Sequence, residues 1–168
     1  MIKNKERVYN GFINVDKAAV ETRKGEVVYR EVTERGNAVC GVVYNPKSNS
    51  IVLVNQFRVG ANKEVLELVA GSLEAGEDPM DCMVREILEE TGFKTKTIEK
   101  ISEFYMSPGG SSEKMFLFYA VVGDKVSDGG GLVEEHEEID VTEMPVSKFK
   151  TYTFDDAKTI IGQLWFNK

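Results

Sequence analysis

Cysteine is scarce. Cys40 and Cys82 are the only two among 168 residues, and each sits inside an apolar pattern. Two such residues exclude a disulfide framework and a cysteine-built zinc site; they read as small core side chains. No apolar run reaches the length of a membrane-spanning helix. The opening Met1-Ile2-Lys3-Asn4-Lys5-Glu6-Arg7 lacks the apolar centre of a secretion signal, so the expected compartment is the cytoplasm, with no membrane partner. Clusters of basic residues are missing as well. With a net charge of −7 and no Lys/Arg-rich block, the chain has no general attraction for nucleic acid, and none is expected as a partner. The single histidine, His136, lies between two glutamates and reads as a surface residue without a catalytic role. Internal repeats and low-complexity linkers are absent.

What remains is an ordinary globular composition, 42% hydrophobic and 29% charged, long enough to bury one core without staples. The N-terminal stretch to about residue 34 reads as extended, with a hairpin turn at Lys24-Gly25. Ala38 to Tyr44 is an uninterrupted apolar strand, Asn45 to Asn49 its turn, and Ile51 to Val54 the returning strand. A shorter strand is expected at Val65 to Val69, and others at Ile98 to Tyr105, Met115 to Val122 and Ile139 to Glu143. Gly123 to Glu138 reads as a polar, glycine-rich loop. Two segments change to helical period. In the first, Met80, Met83, Val84, Ile87 and Leu88 form an apolar stripe, with Asp78 as N-cap, Pro79 in the first position and Gly92 at the end. The second, from Asp155 through Trp165, places Ala157, Ile160, Ile161, Leu164 and Trp165 at helical spacing. Strands and helices together predict an α/β (α+β) fold with a mixed sheet.

The first helix carries the chemistry. Glu86, Glu89 and Glu90 fall at i, i+3 and i+4, on an arc of roughly 100° away from most of the apolar stripe. Carboxylates so close repel unless a cation sits among them, and hard oxygen donors suit Mg²⁺, with Mn²⁺ as a substitute. An acidic helix face is commonly just solvated. The surrounding residues decide otherwise: Gly71, Glu77, Arg85-Glu86-Ile87, Glu89-Glu90, Gly92 and Phe93 stand at the spacing of the Nudix box, and the chain resembles the Nudix hydrolases.

That resemblance implies an α/β/α sandwich in which the box forms a loop–helix–loop. It implies Glu86, Glu89 and Glu90 as metal ligands, joined by the carbonyl of Ala70, and Arg85 as the box arginine paired with Glu77. Residues 1–168 would be one Nudix domain, with about 1–34 as an N-terminal antiparallel β element that dimerises, giving a homodimer.

Three further segments resemble the ADP-ribose pyrophosphatase and nucleoside-diphosphate-sugar hydrolase branch. Ser107-Pro108-Gly109-Gly110-Ser111-Ser112-Glu113 is similar to its substrate loop, which points to Ser107, Pro108, Gly109 and Glu113. Gly129-Gly130-Gly131 followed by Glu134-Glu135-His136-Glu137-Glu138 is similar to its acidic loop, whose glutamate acts as general base; Glu135 is the first match and Glu137 the second. The glycines are expected to let that loop close over substrate. Arg35, Arg58 and Glu67 match residues that contact nucleotide, phosphate or metal in relatives. The expected reaction is Mg²⁺-dependent hydrolysis of the pyrophosphate of a nucleotide sugar, ADP-ribose first and GDP-mannose second. A non-catalytic nucleotide-sugar sensor, and a Nudix enzyme acting on mutagenic nucleotides, dinucleoside polyphosphates or RNA caps, stand as the other classes. The complete box argues against the sensor, and the Ser-Pro-Gly loop against the other enzymes.

Overall fold

The computed structural model describes residues 1–132 and 138–168, and these fall into two compact units. The first comprises Met1–Asn37 with Phe104–Met115. Its three strands, β1 (Ile2–Asn10), β2 (Asn14–Glu21) and β3 (Val27–Glu34), form an antiparallel meander in the order β1-β2-β3. The β2–β3 turn closes through Thr22, whose N–H donates to Glu26 O at 2.8 Å, with Gly25 at φ 82° as the turn predicted at Lys24-Gly25 requires. Arg7 pairs with the buried Asp16 across β1 and β2, and Lys5 pairs with Glu34.

The second unit comprises Ala38–Glu103 and Phe116–Lys168. Its strands are β4 (Asn37–Asn45), β5 (Ser50–Arg58), β6 (Lys63–Ser72), β7 (Phe93–Tyr105), β8 (Lys114–Lys125) and β9 (Asp140–Pro145), in the order β7-β8-β4-β6-β5-β9. Its helices are α1 (Pro79–Thr91), α2 (Val146–Phe149) and α3 (Ala157–Phe166). Successive residues of a strand face opposite sides of a sheet. A Cβ on Gly41 would touch Met83 of α1, and a Cβ on Gly162 of α3 would touch Val42, the next residue of β4. Helices α1 and α3 therefore cover opposite faces, which makes the unit an α/β/α sandwich and explains why β4 is buried almost without alternation. The α1 side of the core gathers Val39, Val43, Val69, Met83, Ile87 and Phe118.

Strand β6 changes partner halfway. Lys63–Leu68 pair antiparallel with β5, and Val69–Ser72 pair antiparallel with β4, although β4 and β5 pair antiparallel with each other at Val43–Asn45 and Ser50–Val52. Three strands cannot all be mutually antiparallel in one flat ribbon, so the sheet must bend where β6 switches, at Leu68–Val69. Two backbone N–H groups at that bend find side chains instead of strand partners. Leu68 N–H donates to Thr159 Oγ1 at 2.9 Å, and Ala70 N–H donates to Glu90 Oε2 at 3.2 Å.

Several expectations need correction. The stripe Met80, Val84 and Leu88 is exposed; the buried residues of α1 are Cys82, Met83, Ile87, Glu90 and Thr91. Glu90 thus belongs to the core-facing arc and not to the outer acidic face, because the bend in β6 presents a backbone donor there. In α3 the apolar Ile161 and Leu164 are likewise exposed, while Lys158, Thr159, Gly162 and Gln163 are buried. β6, β7 and β8 are longer than expected, since polar residues at their ends pair without adding to an apolar pattern. The four residues of α2 are too few to show a period, and the sequence analysis did not anticipate that helix.

Candidate active site

Helix α1 starts where the sequence predicts. Asp78 caps it, its carboxylate accepting from Met80 N–H at 2.8 Å and Asp81 N–H at 3.4 Å, with Pro79 in the first turn. Gly92 ends it in the left-handed conformation, at φ 73°. Between these caps the helix delivers Arg85, Glu86, Glu89 and Glu90 to the bent part of β6.

Arg85 organises the cluster. Its Nε and Nη2 donate to the two carboxylate oxygens of Glu77 at 2.9 and 3.1 Å, a bidentate pair. Its Nη1 donates to Glu86 Oε1 at 2.7 Å and to Glu89 Oε2 at 2.9 Å. The guanidinium holds the Glu77 carboxyl down to about 2, helped by the N–H of Glu74, and Glu77 in turn holds the Arg85 proton more tightly than usual. Burial, with Glu77 beside it, pushes the Cys82 thiol up to about 12, and burial does the same to Cys40. Neither thiol is a nucleophile at neutral pH.

Gly71 lies directly under Glu86. A Cβ there would fall 1.9 Å from the Glu86 carboxyl carbon, so the absent side chain is the space the carboxylate occupies. Glu90, only 2% exposed, sits beside Ala70. The carboxylates of Glu86, Glu89 and Glu90 and the Ala70 carbonyl are hard oxygen donors, which could hold Mg²⁺ or Mn²⁺. Among the described residues no three acidic, histidine or cysteine side chains converge as a preformed cage. Arg85 stands between Glu86 and Glu89 and takes the cation's place.

A second polar cluster lies on β5, β6 and α3. Glu67, 1% exposed, accepts from Arg58 Nε at 2.6 Å and pairs with Lys158. Lys158 Nζ also lies 3.2 Å from Asp156 Oδ2, and Asp156 caps α3 by accepting from Thr159 N–H at 3.0 Å and Thr159 Oγ1 at 2.6 Å. Two cations thus face two carboxylates. Sequence reasoning found Arg58 and Glu67 but missed Lys158, Asp156 and Thr159. The available signal was a capping pattern, Asp156 followed three residues later by a threonine, beside a lysine on an otherwise apolar helix.

The remaining expected residues are in the first unit or outside the described chain. Arg35 is exposed just after β3, next to Gly36 at φ 81°. Ser107, Pro108 and Gly109 form an exposed turn in which Gly110 N–H donates to Ser107 O at 3.1 Å. Thr33 holds that turn: its N–H donates to Gly110 O at 2.9 Å, and its carbonyl accepts from Ser112 N–H at 3.0 Å. Glu113 is half-buried, and its carbonyl accepts from Met106 N–H at 3.2 Å. Glu135 and Glu137 lie outside the described residues.

Comparison with known proteins agrees with the geometry of α1. The NUDIX domain family matches residues 34–162. The chain belongs to the Nudix family. It is a Nudix hydrolase; such enzymes use divalent metal ions. The GDP-mannose pyrophosphatase of Cronobacter sakazakii is 39% identical, over 96% of this chain and 91% of that protein. Those of Shigella flexneri serotype 5b and Escherichia coli O1:K1 are 39% and 38% identical over 83% of this chain and 80% of theirs. A crystal structure of an ADP compounds hydrolase shares the Nudix fold at a TM-score of 0.81, with 21% identity, 99% of this chain and 91% of that one covered. Among the described residues no helix is long and apolar enough to cross a membrane.

Proposed function

We propose that this Nudix hydrolase cleaves the pyrophosphate of a nucleoside diphosphate sugar, with Mg²⁺, to a nucleoside monophosphate and a sugar phosphate. The observation that carries it is the seating of Glu86 over Gly71 and of Glu90 against Ala70, which sets carboxylate oxygens of the C-terminal half of α1 beside the β6 backbone. Curated relatives named for GDP-mannose, aligned along 83–96% of the chain, favour GDP-mannose ahead of ADP-ribose. That reverses the order in which the motifs alone rank them.

Glu86, Glu89, Glu90 and the Ala70 carbonyl would hold the cation, which when bound would neutralise pyrophosphate oxygens and lower the pKa of a water. Arg85 and Glu77 hold the helix against the chain that precedes it. In the second unit Arg58 and Glu67 are the candidates for contact with nucleotide or phosphate; in the first unit Arg35, Ser107, Pro108, Gly109 and Glu113 are candidates for contact with substrate. Glu135, with Glu137 as the second choice, takes the proton from the attacking water; Glu135→Gln should lower kcat more than it raises KM. The enzyme works in the cytoplasm as a homodimer through about residues 1–34. Exposed Ile2, Val8, Tyr9 and Phe12 support that pairing, and light scattering of the Tyr9→Glu/Phe12→Glu chain tests it.

The deciding experiment is hydrolysis of GDP-mannose, ADP-ribose and a small nucleotide panel, with Mg²⁺ and with chelator, identifying products. Metal-dependent release of GMP and mannose 1-phosphate ahead of the panel is the expected result. Faster release of AMP and ribose 5-phosphate would restore ADP-ribose to first place. Binding without turnover of any member would favour a sensor.

A further inference from the structure

The run Gly129-Gly130-Gly131 reads in sequence as a hinge, yet its geometry is that of a fixed attachment. A helix leaves its last four carbonyls without intrahelical donors. At the end of α1, Gly92 N–H donates to Leu88 O at 2.9 Å, Gly131 N–H to Glu89 O at 3.2 Å, and Gly130 N–H to Glu90 O at 2.8 Å. Val126 N–H donates to Gly92 O at 2.8 Å, so the returning chain lies along the helix end from residue 126 to residue 131. The approach leaves no room for side chains. A Cβ on Gly129 would fall 2.5 Å from Glu90 O and 2.6 Å from the Thr91 carbonyl carbon, and a Cβ on Gly92 would fall 2.0 Å from Ser127 O. Gly129, Gly130 and Gly131 have φ of 73°, 103° and 80°, a region that favours glycine.

The two carbonyls held this way belong to Glu89 and Glu90. We propose that Gly129–Gly131 is a backbone bracket, a positioning element that locks the last turn of α1 and so sets the carboxylates of Glu89 and Glu90 for cation binding. A last helical turn otherwise frays. Tying its carbonyls fixes the backbone from which both side chains leave, so the ligands need less ordering when the cation arrives. The inference rests on the metal role assigned to Glu90.

The test is Mn²⁺ affinity of the substrate-free protein, measured by electron paramagnetic resonance and calorimetry, for wild type, Gly129→Ala, Gly25→Ala and Glu90→Gln. Gly25 has φ 82° with open space around it, so its alanine variant controls for strain at positive φ alone. Gly129→Ala is expected to bind Mn²⁺ about tenfold more weakly, the scale of a lost supporting contact. Its kcat should recover in part at high metal concentration with KM for substrate little changed, while Gly25→Ala binds as wild type. Circular dichroism establishes folding first. If Gly129→Ala does not fold, hydrogen exchange of the Gly130 and Gly131 amides in the wild type decides: strong protection already present without Mn²⁺ supports the bracket, and protection gained only with Mn²⁺ overturns it. Wild-type Mn²⁺ affinity in the folded glycine variant, with binding lost in Glu90→Gln, overturns the bracket. Undiminished Mn²⁺ binding by Glu90→Gln overturns the metal reading itself.

Discussion

Helices α1 and α3 meet the same strand from opposite faces, and each buries polar side chains against it. Each supplies an acceptor to a backbone N–H at the bend in β6: Glu90 to Ala70, Thr159 to Leu68. They differ in charge. Around α3 the carboxylates of Glu67 and Asp156 are met by Arg58 and Lys158. Around α1 the carboxyl groups of Glu77, Glu86 and Glu89 share the guanidinium of Arg85, while Glu90 accepts from the backbone of Ala70. A compensated cluster holds a fold together. Neighbouring carboxylates that share one guanidinium are hard oxygen donors of the kind a divalent cation can join. The two faces of one strand thus differ in how their carboxylates are met: by lysine and arginine side chains on one, by a shared guanidinium and a backbone N–H on the other.

The largest effect expected from breaking this contrast is at Glu90. Glu90→Gln keeps an acceptor for Ala70 N–H and loses a cation ligand, so kcat should fall on the order of 10³-fold with the melting temperature nearly unchanged. Steady-state kinetics beside a thermal melt reads both; a collapse of the fold would place Glu90 with the structural cluster. Next is Lys158→Met, which leaves Glu67 buried with only Arg58. Urea titration should show a loss of about 3 kcal/mol, and added Mg²⁺ should not restore it. A smaller change follows Gly71→Ala. The new methyl displaces a flexible carboxylate end and not backbone, so the fold should stand while metal affinity falls about tenfold. Calorimetry with Mn²⁺ decides that point, and wild-type affinity would detach Glu86 from the metal site.

The smallest effect concerns the Arg85 pair. Glu77 titrates at about 2 in the folded chain against an ordinary 4.5. A depressed carboxyl stabilises the fold above its unfolded value, and that contribution disappears as pH falls from about 4.5 toward 2. Carbon NMR of the Glu77 carboxyl should show that low midpoint, and in Arg85→Met it should return to the ordinary range.

Much of this was legible in the residues. Asp78, Pro79 and Gly92 marked α1 because capping and left-handed backbone are local requirements. The spacing of Glu86, Glu89 and Glu90 marked candidate cation ligands once Gly71, Glu77, Arg85, Gly92 and Phe93 were read beside it, because ligands on one helix must recur at its period. Apolar periodicity misled on both helices. Met80, Val84 and Leu88 look like a buried stripe and are exposed; Ile161 and Leu164 do the same on α3. Met83 and Ile87 turn to the sheet as the stripe predicts, but Glu90 and Thr159 are placed there by backbone N–H groups of β6 and Lys158 by Glu67, none of which leaves an apolar signature.

The sequence by itself determined the family, most of the elements and the candidate acidic ligands, since each depends on residues near one another along the chain. Only the tertiary structure decided that Glu90 is buried, that Lys158 neutralises Glu67, and that Gly130 and Gly131 tie off α1. Those contacts join residues far apart in the chain, and they exist because β6 changes partner at Leu68–Val69 and the loop at residues 126–131 returns to the helix end.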